Sequence, residues 1–96
     1  MKGLLKMKLN ENFLIHQTDN GEILIPVNEE TKRFHGVVKL NSTGSEIVHL
    51  LNEKDMSFED LLDYFYREYP DASKEDINKG VGEFVDKLKE INAITL

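Results

Sequence analysis

Residues 36–51 read Gly-Val-Val-Lys-Leu-Asn-Ser-Thr-Gly-Ser-Glu-Ile-Val-His-Leu-Leu, a β-branched run that passes without a linker into an amphipathic helix. Val37 and Val38 favour a pleated backbone. Asn41, Ser42 and Thr43 are helix-starting residues, and Thr43 with Glu46 three positions on predicts a capping box. Ile47, Leu50 and Leu51 then recur at helical spacing. A strand ending in the cap of a helix places this corner in an α+β domain.

Upstream, the chain reads as strands. Phe13 to Thr18 is followed by Asp19-Asn20-Gly21, a hairpin signal of the Asn-Gly type, and Glu22 to Val27 is the returning strand. Pro26 has no N–H to give a ladder, so it belongs at the end or edge of that strand. Asn28 to His35 is a polar, mixed-charge loop, and Gly36 to Leu40 is the third strand. Met1 to Lys8 has basic residues without an apolar stretch, which predicts a frayed leader and no secretory signal.

Downstream, the period is helical. The first helix runs from about Ser42 to about Asn52. The second opens at Ser57 with Glu59 and Asp60 in its first turn, where the helix dipole is positive. Leu61, Leu62, Phe65 and Tyr69 form its apolar stripe, and Pro70 lies just past its end. The third opens at Ser73, and Ile77, Val81, Phe84, Leu88 and Ile91 make a core-facing seam. Ala93 to Leu96 is an apolar tail. The expected fold is a three-stranded antiparallel sheet followed by three helices, a winged helix-turn-helix-like arrangement. Residues 1–96 form one domain, mainly strands over 1–40 and helices over 41–96.

Composition excludes several functions. No apolar run could span a bilayer, and the absence of cysteine rules out disulfides and thiol catalysis. With no export signal, the cytoplasm is the expected compartment. A net charge of −6, from 12 Lys+Arg against 18 Asp+Glu, suits a peptide carrying Lys or Arg better than a nucleic-acid duplex. The densest basic cluster is Lys2, Lys6 and Lys8 at the leader.

Side chains that carry chemistry are present but not gathered. His16, His35 and His49 fall on a strand, a loop end and a helix, without metal-ligand spacing. Glu59-Asp60 and Glu75-Asp76 are explained by capping and the helix dipole, and Glu29-Glu30 falls in a loop, so no acid/base pair is expected. Tyr64, Phe65, Tyr66 and Tyr69 could suggest a stacking platform, but Phe65 and Tyr69 have core spacing. No catalytic residue, metal or cofactor is predicted. Gly80 and Gly82 stand out, since each costs about 0.8–1 kcal/mol relative to alanine inside a helix. Either they are tolerated weak points or another backbone approaches there. Gly82 lies beside Asn78, Val85 and Lys89 on the helical wheel, where Val85 would make a shallow groove wall.

That leaves the third strand. A small sheet has free edges, and a free edge is a template for an extended peptide. Four added hydrogen bonds, at roughly 0.5–1.5 kcal/mol each, would contribute about 2–6 kcal/mol. Submicromolar binding needs about 8 kcal/mol or more. Apolar anchors must therefore supplement the ladder, and the third helix is the expected wall of their groove.

Gly36-Val37-Val38-Lys39-Leu40-Asn41-Ser42-Thr43-Gly44 resembles the PqqD family, whose fold is also called the RiPP recognition element. Its members share a hydrophobic strand ending in Leu-Asn before a small-residue helix start. Ile47, Leu50, Leu51, Ser57, Leu61, Leu62 and the run from Asp76 to Leu88 with Ile94 continue the likeness. Residues 36–96 carry it; residues 1–35 match only in layout. The resemblance implies a chaperone that binds the leader of a ribosomally made precursor peptide and presents it to a modifying enzyme, often a radical SAM protein. Carried over by position, Val37, Val38, Lys39 and Leu40 would offer the strand, with Asn78, Val81, Gly82 and Val85 on the helix side. The domain itself would hold no iron–sulfur cluster.

Two other classes share this layout. A DNA-binding winged helix needs unpaired cations on its recognition helix, whereas the third helix sets Lys74, Lys79, Lys87 and Lys89 against Glu75, Asp76, Glu83, Asp86 and Glu90. A non-catalytic accessory subunit could form a homodimer by self-pairing of the same strand edge.

Overall fold

A computed structural model describes residues 5–33 and 36–95. Its elements in chain order are β1 (Lys8–Leu9), β2 (Phe13–Thr18), β3 (Gly21–Pro26), a 3-10 turn (Asn28–Lys32), β4 (Val38–Leu40), α1 (Ser42–Glu53), α2 (Phe58–Glu68), α3 (Lys74–Glu90) and β5 (Ile94–Thr95). Expectations for the start of the leader (Met1, Lys2), His35 and Leu96 lie outside the described residues.

The main sheet is antiparallel in the order β2-β3-β4, with the three helices following it in the chain, as the residue pattern predicts. Alternation sorts its faces. Phe13, Leu24 and Val38 are buried toward the helices, while Leu14, His16 and Lys39 are exposed on the outer face. Thr18 pairs with Gly21, so Asp19 and Asn20 alone form the hairpin loop. Gly21 begins the return strand at φ +119°, a conformation side-chain-bearing residues avoid. Pro26 is the last residue of β3, the central strand, so it sits at an end and not at an edge.

The N-terminal segment is not frayed where it is described. Met7 is buried and pairs with Met56, and β1 pairs antiparallel with β5. The apolar tail thus closes a second, two-stranded ribbon that local periodicity did not predict. It is aimed there by the end of α3. Asn92 adopts φ +63°, the Ala93 N–H donates to the Leu88 carbonyl, and the Asn92 N–H donates to the Lys89 carbonyl. This paired pattern is a Schellman stop with asparagine in the left-handed position. Lys6 is engaged as well, its Nζ lying 2.7 Å from Asp60 Oδ2.

Glu30, expected in a solvated loop, is buried. Its Oε2 accepts from Asn92 Nδ2 at 3.0 Å and from Asn10 Nδ2 at 3.4 Å, and Asn10 also donates to the Asn92 carbonyl. This cluster ties the 3-10 turn to the β1 and α3 ends. The core joins both sheets to the helices, Leu24 from the main sheet and Leu9 and Ile94 from the ribbon meeting Ile47, Leu51, Leu61, Val81 and Leu88. Among the described residues, no helix is long and apolar enough to cross a membrane.

Candidate functional site

β4 is an edge strand, and its register decides which backbone groups face outward. The Val27 N–H donates to the Asn12 carbonyl at 2.8 Å, in line with the β2–β3 ladder. Bonded pairs alternate along an antiparallel ladder, so Leu14, His16 and Thr18 bond to β3 residues 25, 23 and 21. Residues 22 and 24 of β3 then turn their backbone groups to β4, bonding Leu40 and Val38. Lys39 falls in the opposite phase. Its N–H and C=O point off the sheet, with those of Val37 in step beside it.

The corner after β4 is capped by Asn41, not by Thr43. The Asn41 side chain accepts from the Gly44 N–H at 2.7 Å, and its backbone is extended. A residue ending a strand already has the extended backbone that a cap requires. This moves the cap two residues earlier, keeps the helix start at Ser42 as expected, and leaves Thr43 in the first turn, where its side chain is half-buried. Glu46, freed from a capping box, accepts instead from the Tyr64 hydroxyl at 2.8 Å and from the Tyr69 hydroxyl.

α3 crosses behind this corner. The ring of Phe84 lies against Gly44, so close that a Cβ there would come within 2.7 Å of it. A recess of about 310 Å³ opens between the two helices, walled by Asn41 and Thr43 on one side and Gly80, Glu83, Phe84 and Lys87 on the other. It meets a second, mainly apolar cleft of about 260 Å³ at Thr43 and Gly80, which line both. At the opposite end, Lys87 also borders a hollow with Arg33 and Glu90. Together these recesses run along one flank of α3, beside the cap that follows the free edge.

The expected site residues divide. Val37 is half exposed and Lys39 is exposed, whereas Val38 is buried in the core and Leu40 is half-buried. On α3, Val81 and Val85 are buried, Val81 at the floor of the apolar cleft. Asn78 accepts from the Tyr66 hydroxyl, and Gly82 faces the ring of Phe58 at 3.8 Å, so both turn toward α2. Neither lines the recess. The flank that does carries Gly80, Glu83, Phe84 and Lys87, with Asp76 on the same side at the apolar cleft, and of these only Gly80 stands out in the sequence as unusual for a helix. Tyr69, expected in the core, is 45% exposed at the cleft, with its ring stacked on Phe65 at 5.9 Å.

A family model described as coenzyme PQQ synthesis protein D (PqqD) matches residues 24–94. The chain belongs to the PqqD family. Its match begins inside β3 and covers β4 with all three helices, so the free edge and the recess both lie within the family region. This PqqD-family chain is also similar to a solved structure titled lasso peptide synthetase B1 complexed with the leader peptide. The two are 25% identical, with a TM-score of 0.69, over 96% of this chain and 99% of the other. Among curated proteins, none matches.

Proposed function

We propose that this PqqD-family domain captures the leader of a ribosomally made precursor peptide as a strand added to β4. It then presents that peptide to a modifying enzyme, such as a radical SAM protein, and does no chemistry itself. The observation that carries this reading is the outward-facing Lys39 N–H and C=O beside an open recess. The solved relative was captured with a leader peptide, in agreement with such a role.

Energetics say why both parts are needed. A three-residue strand offers few free backbone groups. At about 0.5–1.5 kcal/mol each, their hydrogen bonds alone leave binding weak. Apolar side chains of the peptide must descend into the recess, where the Phe84 ring is half-buried and Gly80 has nothing within 4 Å of its missing Cβ. The helix side of the site is accordingly placed at Gly80, Glu83, Phe84 and Lys87, with Val37 and Lys39 on the strand side. Val38, Leu40, Val81 and Val85 support it from the core, and Asn78 and Gly82 belong to the α2 contact.

The test is an NMR titration with the leader of the precursor peptide encoded nearest this chain. The amides of Val37, Lys39, Gly80, Phe84 and Lys87 should shift, and the Lys39 N–H should become protected from exchange. An unchanged Lys39 amide at saturating peptide would rule out strand addition. A doubling of the domain's mass without peptide would instead assign the edge to self-pairing.

A further inference from the structure

Resting on that reading, we propose that the apolar cleft beside Tyr69 selects the leader, by taking one branched or aromatic side chain that is followed two residues on by Lys or Arg. The cleft is walled by Phe65, Tyr69, Ala72 and Ile77, and its volume of about 260 Å³ suits a single side chain. Drug-sized ligand pockets run from about 300 to 1,000 Å³.

Its wall is set before any ligand arrives. The Tyr69 ring stacks on Phe65, and its hydroxyl is held by Glu46, which also holds Tyr64. A wall already in its bound conformation loses little entropy on binding. Because Thr43 and Gly80 line both hollows, the cleft continues the recess beside β4. The empty space at Gly80 lets a peptide backbone pass close over α3 at that junction.

Charge specifies the neighbour of the anchor. Asp76 lies on the cleft's rim, and no Lys or Arg lines the cleft among the described residues, whereas in the adjoining recess Glu83 is matched by Lys87. Side chains two apart on an extended peptide point the same way. A cation at that spacing would reach Asp76 while the apolar side chain fills the cleft. A carboxylate there would meet like charge.

The experiment pans a phage-displayed library of random dodecapeptides on the intact domain and then measures the best binder as a synthetic peptide. The expected consensus is an apolar residue with Lys or Arg two positions away. Replacing the apolar residue by alanine should weaken binding by about tenfold to a hundredfold. Replacing the cation by Glu should weaken it severalfold, by an amount that shrinks with added salt. In Tyr69→Ala, and separately in Ala72→Phe, which fills the cleft from an exposed position away from the Gly80 junction, the penalty for the alanine peptide should vanish while the Lys39 amide still shifts. If binders shift Lys39 but show no such consensus, or if the penalty survives both variants, the cleft is not the selector and strand addition stands. If no binder shifts Lys39, the underlying reading fails instead.

Discussion

The Phe84 ring on α3 occupies the space above Gly44 on α1, with ring Cε1 only 2.7 Å from where a Cβ would stand. A glycine in the first turn of α1 thus lets α3 approach the corner that follows β4. Gly44→Ala must push the ring toward the recess. The strain of overpacking, about 1–3 kcal/mol, opposes a helix-propensity gain of up to about 1 kcal/mol. A net loss of stability of about 1–2 kcal/mol is expected in urea denaturation, together with weaker peptide binding. An unchanged midpoint would show that the ring moves freely.

Gly80→Ala should do the reverse. Gly80 lies inside α3 with open space around its missing Cβ, so alanine should add about 0.8–1 kcal/mol. A stability gain with reduced affinity would identify a glycine retained for close approach. A gain with unchanged affinity would remove Gly80 from the site.

Adjacent prolines on β4 should separate folding from capture. The Val38 N–H bonds to β3, so Val38→Pro orphans a buried carbonyl and should cost about 1–3 kcal/mol or more. The Lys39 N–H points off the sheet, where proline is tolerated. Lys39→Pro should keep the circular dichroism and melting curve of the parent yet lose most peptide affinity. Equal binding by Lys39→Pro and the parent would count against an added strand.

Two tyrosines report on the wall of the cleft. Hydrogen bonding to Glu46 raises the Tyr64 phenol to about 12, and the same carboxylate raises Tyr69 above its ordinary value. Because these pKa values are raised in the fold, the stabilisation is complete below about pH 10 and is lost as pH climbs through the raised folded values, about 12 for Tyr64. Glu46→Gln should bring phenolate absorbance in at lower pH. It should also flatten the alkaline fall in stability.

At the other end of the pH scale, Asp60 is held down at about 2, first by Lys6 and then by the Ser57 N–H. A depressed carboxylate stabilises above its ordinary value near 3.8, and that contribution is lost as pH falls through about 2. Asp60→Asn should therefore lower stability at neutral pH and leave a shallower loss between pH 4 and 2. An identical acid profile would mean that the Lys6 pair is not formed in solution.

Residue pattern alone was enough for the hairpin, the strand-to-helix corner and three amphipathic helices, whereas the place of β4 at the sheet's edge came from the strand order. Those elements follow from local rules: period, turn residues, or a cap that satisfies nearby N–H groups. Non-local contacts escaped it. The β1–β5 ribbon joins opposite ends of the chain, and Glu30 is buried by asparagines distant in sequence. The surroundings of the candidate site were only partly legible for the same reason. A helical wheel shows that α3 has two flanks beside its core seam, one with Asn78 and Gly82 and the other with Gly80 and Lys87. Only the packing of α3 on α1 and α2, with Phe84 over Gly44 and Gly82 against Phe58, decided which flank stands beside the edge and which is spent on α2.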